Sequence, residues 1–132
     1  MKNLLLISIF LNSLLYSCTK DVPKIDPDNP LAGVWNFSDY ENDMQVFKRS
    51  QEFSDCHCYK FNSGGTLVER KNSGWCGTPP VSYADYQGTW EFLNDTLIKI
   101  DVGYWGGSTT YKLDIETVSS ETLRVVTISE NE

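Results

Sequence analysis

The sequence predicts an all-β fold: a single antiparallel up-and-down β-barrel of about eight strands, with a two-sheet β-sandwich as the alternative. Three observations predict it. Tyr111, Leu113 and Ile115 alternate with Lys112, Asp114 and Glu116, and Ile98, Ile100 and Val102 alternate with Lys99 and Asp101. That is the period of two of a strand with one wet face. Tight-turn residues separate such runs, and no long helical period occurs along the chain. An open sheet of this size leaves two bare edges, which closure into a barrel removes. Periodicity alone does not distinguish the barrel from a sandwich.

In chain order, residues 1–17 come first. Lys2-Asn3 opens a basic start, Leu4 through Tyr16 is apolar, and Ser17 is small, the pattern of a secretory signal peptide. The run is shorter than the ~20 residues of a membrane span. The Leu15-Tyr16-Ser17-Cys18 ending resembles the lipobox of bacterial lipoproteins. That resemblance implies that Cys18 is acylated, becomes the mature N-terminus and makes the membrane a partner of the chain. Two or more acyl chains anchor stably where one is marginal, at ~0.8 kcal/mol per buried methylene. By resemblance to sorting in Gram-negative bacteria, Thr19 in place of Asp implies the outer membrane, its periplasmic or surface face left open. Residues 18–30 carry Pro23, Pro27 and Pro30 among charges and read as an extended tether. The domain is then 31–132, about a hundred residues, a size that buries roughly two-thirds of its unfolded surface.

Within the domain, Asn62-Ser63-Gly64-Gly65 separates Tyr59-Lys60-Phe61 from Thr66-Leu67-Val68. Asn94-Asp95 separates Trp90–Leu93 from Thr96–Ile98, and Ser119-Ser120-Glu121 separates Ile115–Val118 from Leu123–Ile128. Each is a hairpin signal. Asp43 to Ser54 lacks the alternation and is expected to hold a helical turn or a distorted strand.

Export implies an oxidising compartment, where cysteines pair. With Cys18 lipidated, Cys56, Cys58 and Cys76 remain, so one is left over. On a strand, Cys56 and Cys58 would share a face and not bridge each other easily. Cys76 lies in a turn-rich loop free to reach back. Cys58–Cys76 is the expected disulfide, with Cys56–Cys76 second; closing such a loop contributes about 3 kcal/mol in the chain-entropy model.

Gly33-Val34-Trp35-Asn36-Phe37 and Gly88-Thr89-Trp90-Glu91-Phe92 echo each other. The first resembles the Gly-x-Trp signature of the lipocalin and wider calycin families. The resemblance implies that Trp35 plugs the closed end of a barrel; Gly33, Trp35 and Trp90 are the expected barrel-closing residues. It also implies a basic residue of the last strand lying across the Trp35 ring, and Arg124 is the matching candidate. Gly33/Trp35, then Tyr59-Lys60-Phe61-Asn62-Ser63-Gly64-Gly65-Thr66, Gly88-Thr89-Trp90 and the hairpin Thr110 through Val126 are similar to the pattern of small bacterial lipocalin-like lipoproteins. That family implies the fold and a generic binding role.

The net charge of −7 becomes −8 once Lys2 leaves with the signal, ten cationic side chains (11 less Lys2) facing 18 acidic ones. Such a surface repels phosphate backbones, which argues against nucleic acid. Cys56-His57-Cys58 with Cys76 resembles a soft-metal set, but alternation turns His57 away from the thiols, so no metal is expected. Hydrolase and phosphate-loop motifs are absent from the sequence, and a non-catalytic, cofactor-free monomer is expected. Aromatics make up 13% of the chain, and several sit in glycine-rich loops. Trp75, Tyr104 and Trp105, with His57 inside, are the candidate ligand contacts. The expected function is binding of a small apolar or amphipathic molecule. The alternative is an envelope interaction module that grips glycan or protein through loop aromatics.

Overall fold

The structure is a computed structural model; residues 28–74 and 81–129 are described below. Eight strands form one closed, wholly antiparallel barrel: β1 (Gly33–Glu41), β2 (Met44–Ser50), β3 (Cys58–Phe61), β4 (Thr66–Asn72), β5 (Tyr83–Phe92), β6 (Leu97–Tyr104), β7 (Gly107–Val118) and β8 (Thr122–Ser129). The barrel, not the sandwich, is therefore the architecture. From β3 to β8 the strands follow one another as a meander. The first hairpin is set differently: β1 pairs with β3, and β2 closes the ring against β8. Segment 51–57 consequently crosses β1 as a strap. Asn36 Nδ2 donates to Glu52 O at 3.0 Å and to Ser54 Oγ at 3.1 Å, and Phe37 N to His57 O at 2.8 Å, tying the strap down.

The turns fall where turn chemistry places them, at 62–65, 93–96 and 119–121. The segment without alternation, from Asp43, holds β2. Its adjacent residues Val46 and Phe47 are both buried, which hides the period of two. Opposite them the register of β1 shifts between Phe37 and Asp39, and β7 shifts between Ile115 and Thr117. An extra residue in one strand of a pair bends it and increases the twist, which helps a short sheet close.

The interior is one cluster that includes Leu31, Trp35, Phe47, Phe61, Leu67, Trp90, Ile98, Ile100, Leu113, Leu123 and Val125. It lies toward the end where β1 starts and β2 finishes. There Trp35 is fully buried, and its indole N–H donates to Leu31 O at 2.8 Å. Register sets Arg49 opposite Trp35, with the guanidinium 4.1 Å from the centre of the ring. Arg49 also donates to Ala32 O, Pro30 O and Ser120 O at 2.7, 2.6 and 2.8 Å. One side chain thus joins the entering chain, the Trp plug and the β7–β8 turn. Gly33 makes room for it: a Cβ there would lie 2.5 Å from Arg49 Nη1, at a φ of +129° that side chains disfavour.

The basic residue over Trp35 is therefore Arg49 of β2, not Arg124 of β8. Arg124 alternates with the buried Leu123 and Val125 and so faces outward, where it bonds Glu41 at 2.9 Å. Trp90 is buried and donates to Asn62 O and Thr66 O at 3.0 and 3.1 Å, sealing the β3–β4 hairpin. Gly88 is needed by close packing: a Cβ would meet Asp101 O at 2.3 Å.

Replacing Arg49 by Met keeps the aliphatic stem and removes three charge-assisted bonds together with a cation–π contact. The expected loss is about 2–4 kcal/mol, read as a lower urea midpoint. Arg124→Met, on the exposed outer face, should leave the midpoint nearly unchanged. Equal shifts for the two variants would contradict the assignment of the closing arginine.

Candidate functional site

At the opposite end the interior changes character. Here β1 runs into β2, β3 begins, β6 runs into β7 and β8 finishes. Register carries one interior row around the wall from Trp35 to Tyr59, Glu69 and Tyr86. Glu69 follows the buried Leu67 at strand spacing on β4, and only 3% of it is exposed. A buried carboxylate is costly unless paired and hydrogen-bonded, and Glu69 is both. Lys71 Nζ donates to Oε1 at 3.0 Å and the Tyr111 hydroxyl to the same oxygen at 2.8 Å. Oε2 lies 2.6 Å from His57 Nε2.

The acceptor-only chemistry of a carboxylate fixes the protons. His57 carries one on Nε2, and Tyr111 gives its own to Glu69. The Tyr59 hydroxyl, 2.6 Å from that of Tyr111, must therefore donate to it. A directed chain Tyr59 to Tyr111 to Glu69 results, flanked by His57 and Lys71. Rings brace it: His57 packs at 4.9 Å from Tyr59 and 5.6 Å from Phe47, between ring centres. Lys71 Nζ sits 5.4 Å from the centre of the Tyr86 ring.

Burial pushes the Glu69 carboxyl upward, but the hydrogen bond and charge of His57, with Lys71, outweigh it and hold it below the usual carboxylate range. Burial, with the negative charge of Glu69, raises Tyr59 well above an ordinary tyrosine. Tyr111 is raised by burial and by Tyr59 and Glu69. These shifts keep Glu69 a carboxylate and Tyr59 and Tyr111 phenols. The node is a preorganised polar floor under aromatic walls, suited to orienting a polar group.

Of the expected ligand contacts, His57 belongs to this floor. Tyr104 and Trp105 lie at the same end on the β6–β7 turn, their rings 5.7 Å apart and edge-on, with Trp105 52% exposed. Trp75 lies outside the described residues, as do Cys18 and Cys76, and with Cys76 the Cys58–Cys76 pairing. The alternation argument misplaced Cys56: β3 begins at Cys58, so Cys56 sits in the bend before it, and the two sulfurs are 3.0 Å apart. Glu69, Tyr111, Tyr59 and Lys71 were missed as site residues. The signal for them was an acid and a base at strand spacing from an apolar residue, Leu67-x-Glu69-x-Lys71, on β4. Among the described residues, no group of three or more His, Cys, Asp or Glu could hold a metal ion.

A concavity of about 470 Å³ lies on the outer wall beneath the strap, bordered by Val34, Phe53, Lys60, Val68 and Arg70. Arg70 is held there by Asp85 at 2.7 Å. No protein-family model, curated protein or solved structure matches the chain.

The pH dependence of stability follows from the node. A depressed carboxylate contributes stability that is present above its unfolded pKa of about 4.3 and is lost as pH falls through its lower folded value. Glu69→Gln should therefore flatten the acid limb of a stability–pH curve. The raised tyrosines contribute stability that is full below about pH 10 and is lost as pH rises through their folded values. Tyr111→Phe should soften that alkaline limb. Chemical denaturation from pH 3 to 11 reads both, and an acid limb in Glu69→Gln identical to that of the parent would contradict the ion-paired assignment.

Proposed function

We propose that this chain is a non-catalytic, lipid-anchored lipoprotein of the Gram-negative cell envelope, in the outer membrane, whose lipocalin-like barrel binds a small amphipathic molecule at its open end. The observation that carries the binding reading is Glu69. A carboxylate 3% exposed, held by three donors on other side chains, sits above an otherwise apolar core. A ligand with an apolar body and a polar head matches that division: rings such as Tyr86 for the body, the Tyr59–Tyr111 pair and Lys71 for the head. Ligand sites commonly combine apolar walls with a few convergent polar groups. The core fills the closed end, so the ligand is a shallow occupant of the mouth, not one swallowed to full barrel depth.

Anchoring rests on the Leu15-Tyr16-Ser17-Cys18 ending. The fold is compatible with it. Pro30 and Leu31 are held at the closed end by Arg49 and Trp35, so a tether ahead of Asp28 joins the barrel there. The exposed Trp105 with Tyr104 beside it favours a second reading, in which the rim stacks on a sugar ring or grips a protein.

Native mass spectrometry of the detergent-extracted chain tests the proposal. It should show a mature chain starting at Cys18 with acyl mass added and a small molecule retained. Glu69→Ala and Tyr111→Phe should lower retention at least tenfold, while Trp105→Ala has a smaller effect. A mass that keeps residues 1–17 without lipid would sink the anchor. Retention unchanged in Glu69→Ala but lost in Trp105→Ala would replace the mouth with the rim.

A further inference from the structure

From the strap we infer that Cys56 and Cys58 are a redox pair: they close a reversible disulfide within Cys56-His57-Cys58 that exchanges with external thiols through Cys56. Four observations carry it. The sulfurs are 3.0 Å apart, so about 1 Å of movement brings them to the ~2.05 Å of a disulfide. The pair is asymmetric, as an exchange site requires: Cys56 is partly exposed, whereas Cys58 is fully buried. Cys58 Sγ faces two carbonyl oxygens, Cys56 O at 3.1 Å and Ser54 O at 3.5 Å, which would receive a thiol proton. His57, between them, turns its ring the other way onto Glu69, leaving the sulfurs to each other.

The chemistry balances with a low-mass thiol and its disulfide as co-reactants. A thiolate attacks the partly exposed Cys56 at Sγ and forms a mixed disulfide. The Cys56–Cys58 bond breaks, and its electron pair leaves on Cys58 Sγ, which takes a proton. Burial, with the Cys56 thiol beside it, pushes the Cys58 thiol up to about 12, so the displaced sulfur is held as a thiol. A second external thiolate attacks its bound twin and releases Cys56. The net change is one protein disulfide and two thiols converted to a protein dithiol and one external disulfide; oxidation is the reverse.

Closure would fix the strap that crosses β1. It would also fix the backbone of His57, whose carbonyl accepts from Phe37 N and whose ring bonds the Glu69 floor. This pairing replaces the Cys58–Cys76 bridge expected from loop reach and leaves Cys76 as the unpaired sulfur.

The test is a peptide map of the full chain in detergent, equilibrated with oxidised or reduced glutathione, alkylated and cut with trypsin. Cys56 and Cys58 share the peptide 50–60, and Cys76 lies in 72–99. After oxidation, peptide 50–60 should appear unlinked, unalkylated and lighter by two hydrogens, in the parent and in Cys76→Ser alike. Reduced glutathione should restore two alkylatable thiols. Linkage of peptide 50–60 to 72–99, or full alkylation of both cysteines after oxidation, would overturn the inference. Since the buffers replace the compartment, this result is independent of whether the chain is exported or binds a ligand.

Discussion

Arg49 resting on Trp35 is the contact on which the rest of the barrel depends. A ring of strands needs something to hold its first and last members together and something to fill its narrow end. Trp35 fills it, and Arg49, 4.1 Å above the ring, holds the seam through carbonyls of residues 30, 32 and 120. Those groups belong to the entering chain and to the β7–β8 turn, far apart in sequence. The contact stands only because Gly33 lacks a side chain and adopts a backbone conformation suited to glycine. Three residues, Gly33, Trp35 and Arg49, therefore act as one device. Losing any of them exposes carbonyls or an indole face that nothing nearby replaces.

With that end sealed by apolar packing, the other end can hold polar groups that an apolar interior would reject. Trp35 and Glu69 share one interior row across β1, β3 and β4, so the plug and the polar floor are laid down by the same registers. The node is tolerated because the buried carboxylate is met by three donors and the Tyr59 hydroxyl by that of Tyr111. It also makes this end stiff, since moving Tyr111 or His57 breaks a bond to a buried charge. A stiff, prearranged set of donors suits recognition better than a flexible one, because less ordering remains to be done on binding.

Much of the fold was legible because it depends on local pattern. Alternation in residues 98–102 and 111–116, and turn chemistry at 62–65, 94–95 and 119–121, placed six strands without knowledge of their partners. What stayed hidden depends on pairing across long separations. The position of β2 between β1 and β8 has no local signature, and two adjacent buried residues, Val46 and Phe47, erase its period. Missing β2 meant missing Arg49. Arg124 is fixed outward by local pattern alone, since Leu123 and Val125 on either side of it are buried. Site residues were half visible: His57 and the Tyr104-Trp105 turn stand out as unusual residues, whereas Glu69 and Lys71 look like the wet face of a hairpin until register turns them inward. Cys56 was misjudged by extending a strand two residues too far.

Exchange of the Trp35 indole proton with deuterium tests the closure most directly. That proton is fully buried and bonded to Leu31 O, so only opening of the sealed end exposes it. If the Trp35–Arg49 seam holds the ring shut, its exchange on the full chain should match the slowest backbone amides of β6 and β7, in step with global unfolding. Exchange within minutes under conditions where those amides persist for hours would show an end that opens by itself. It would contradict the account at its root.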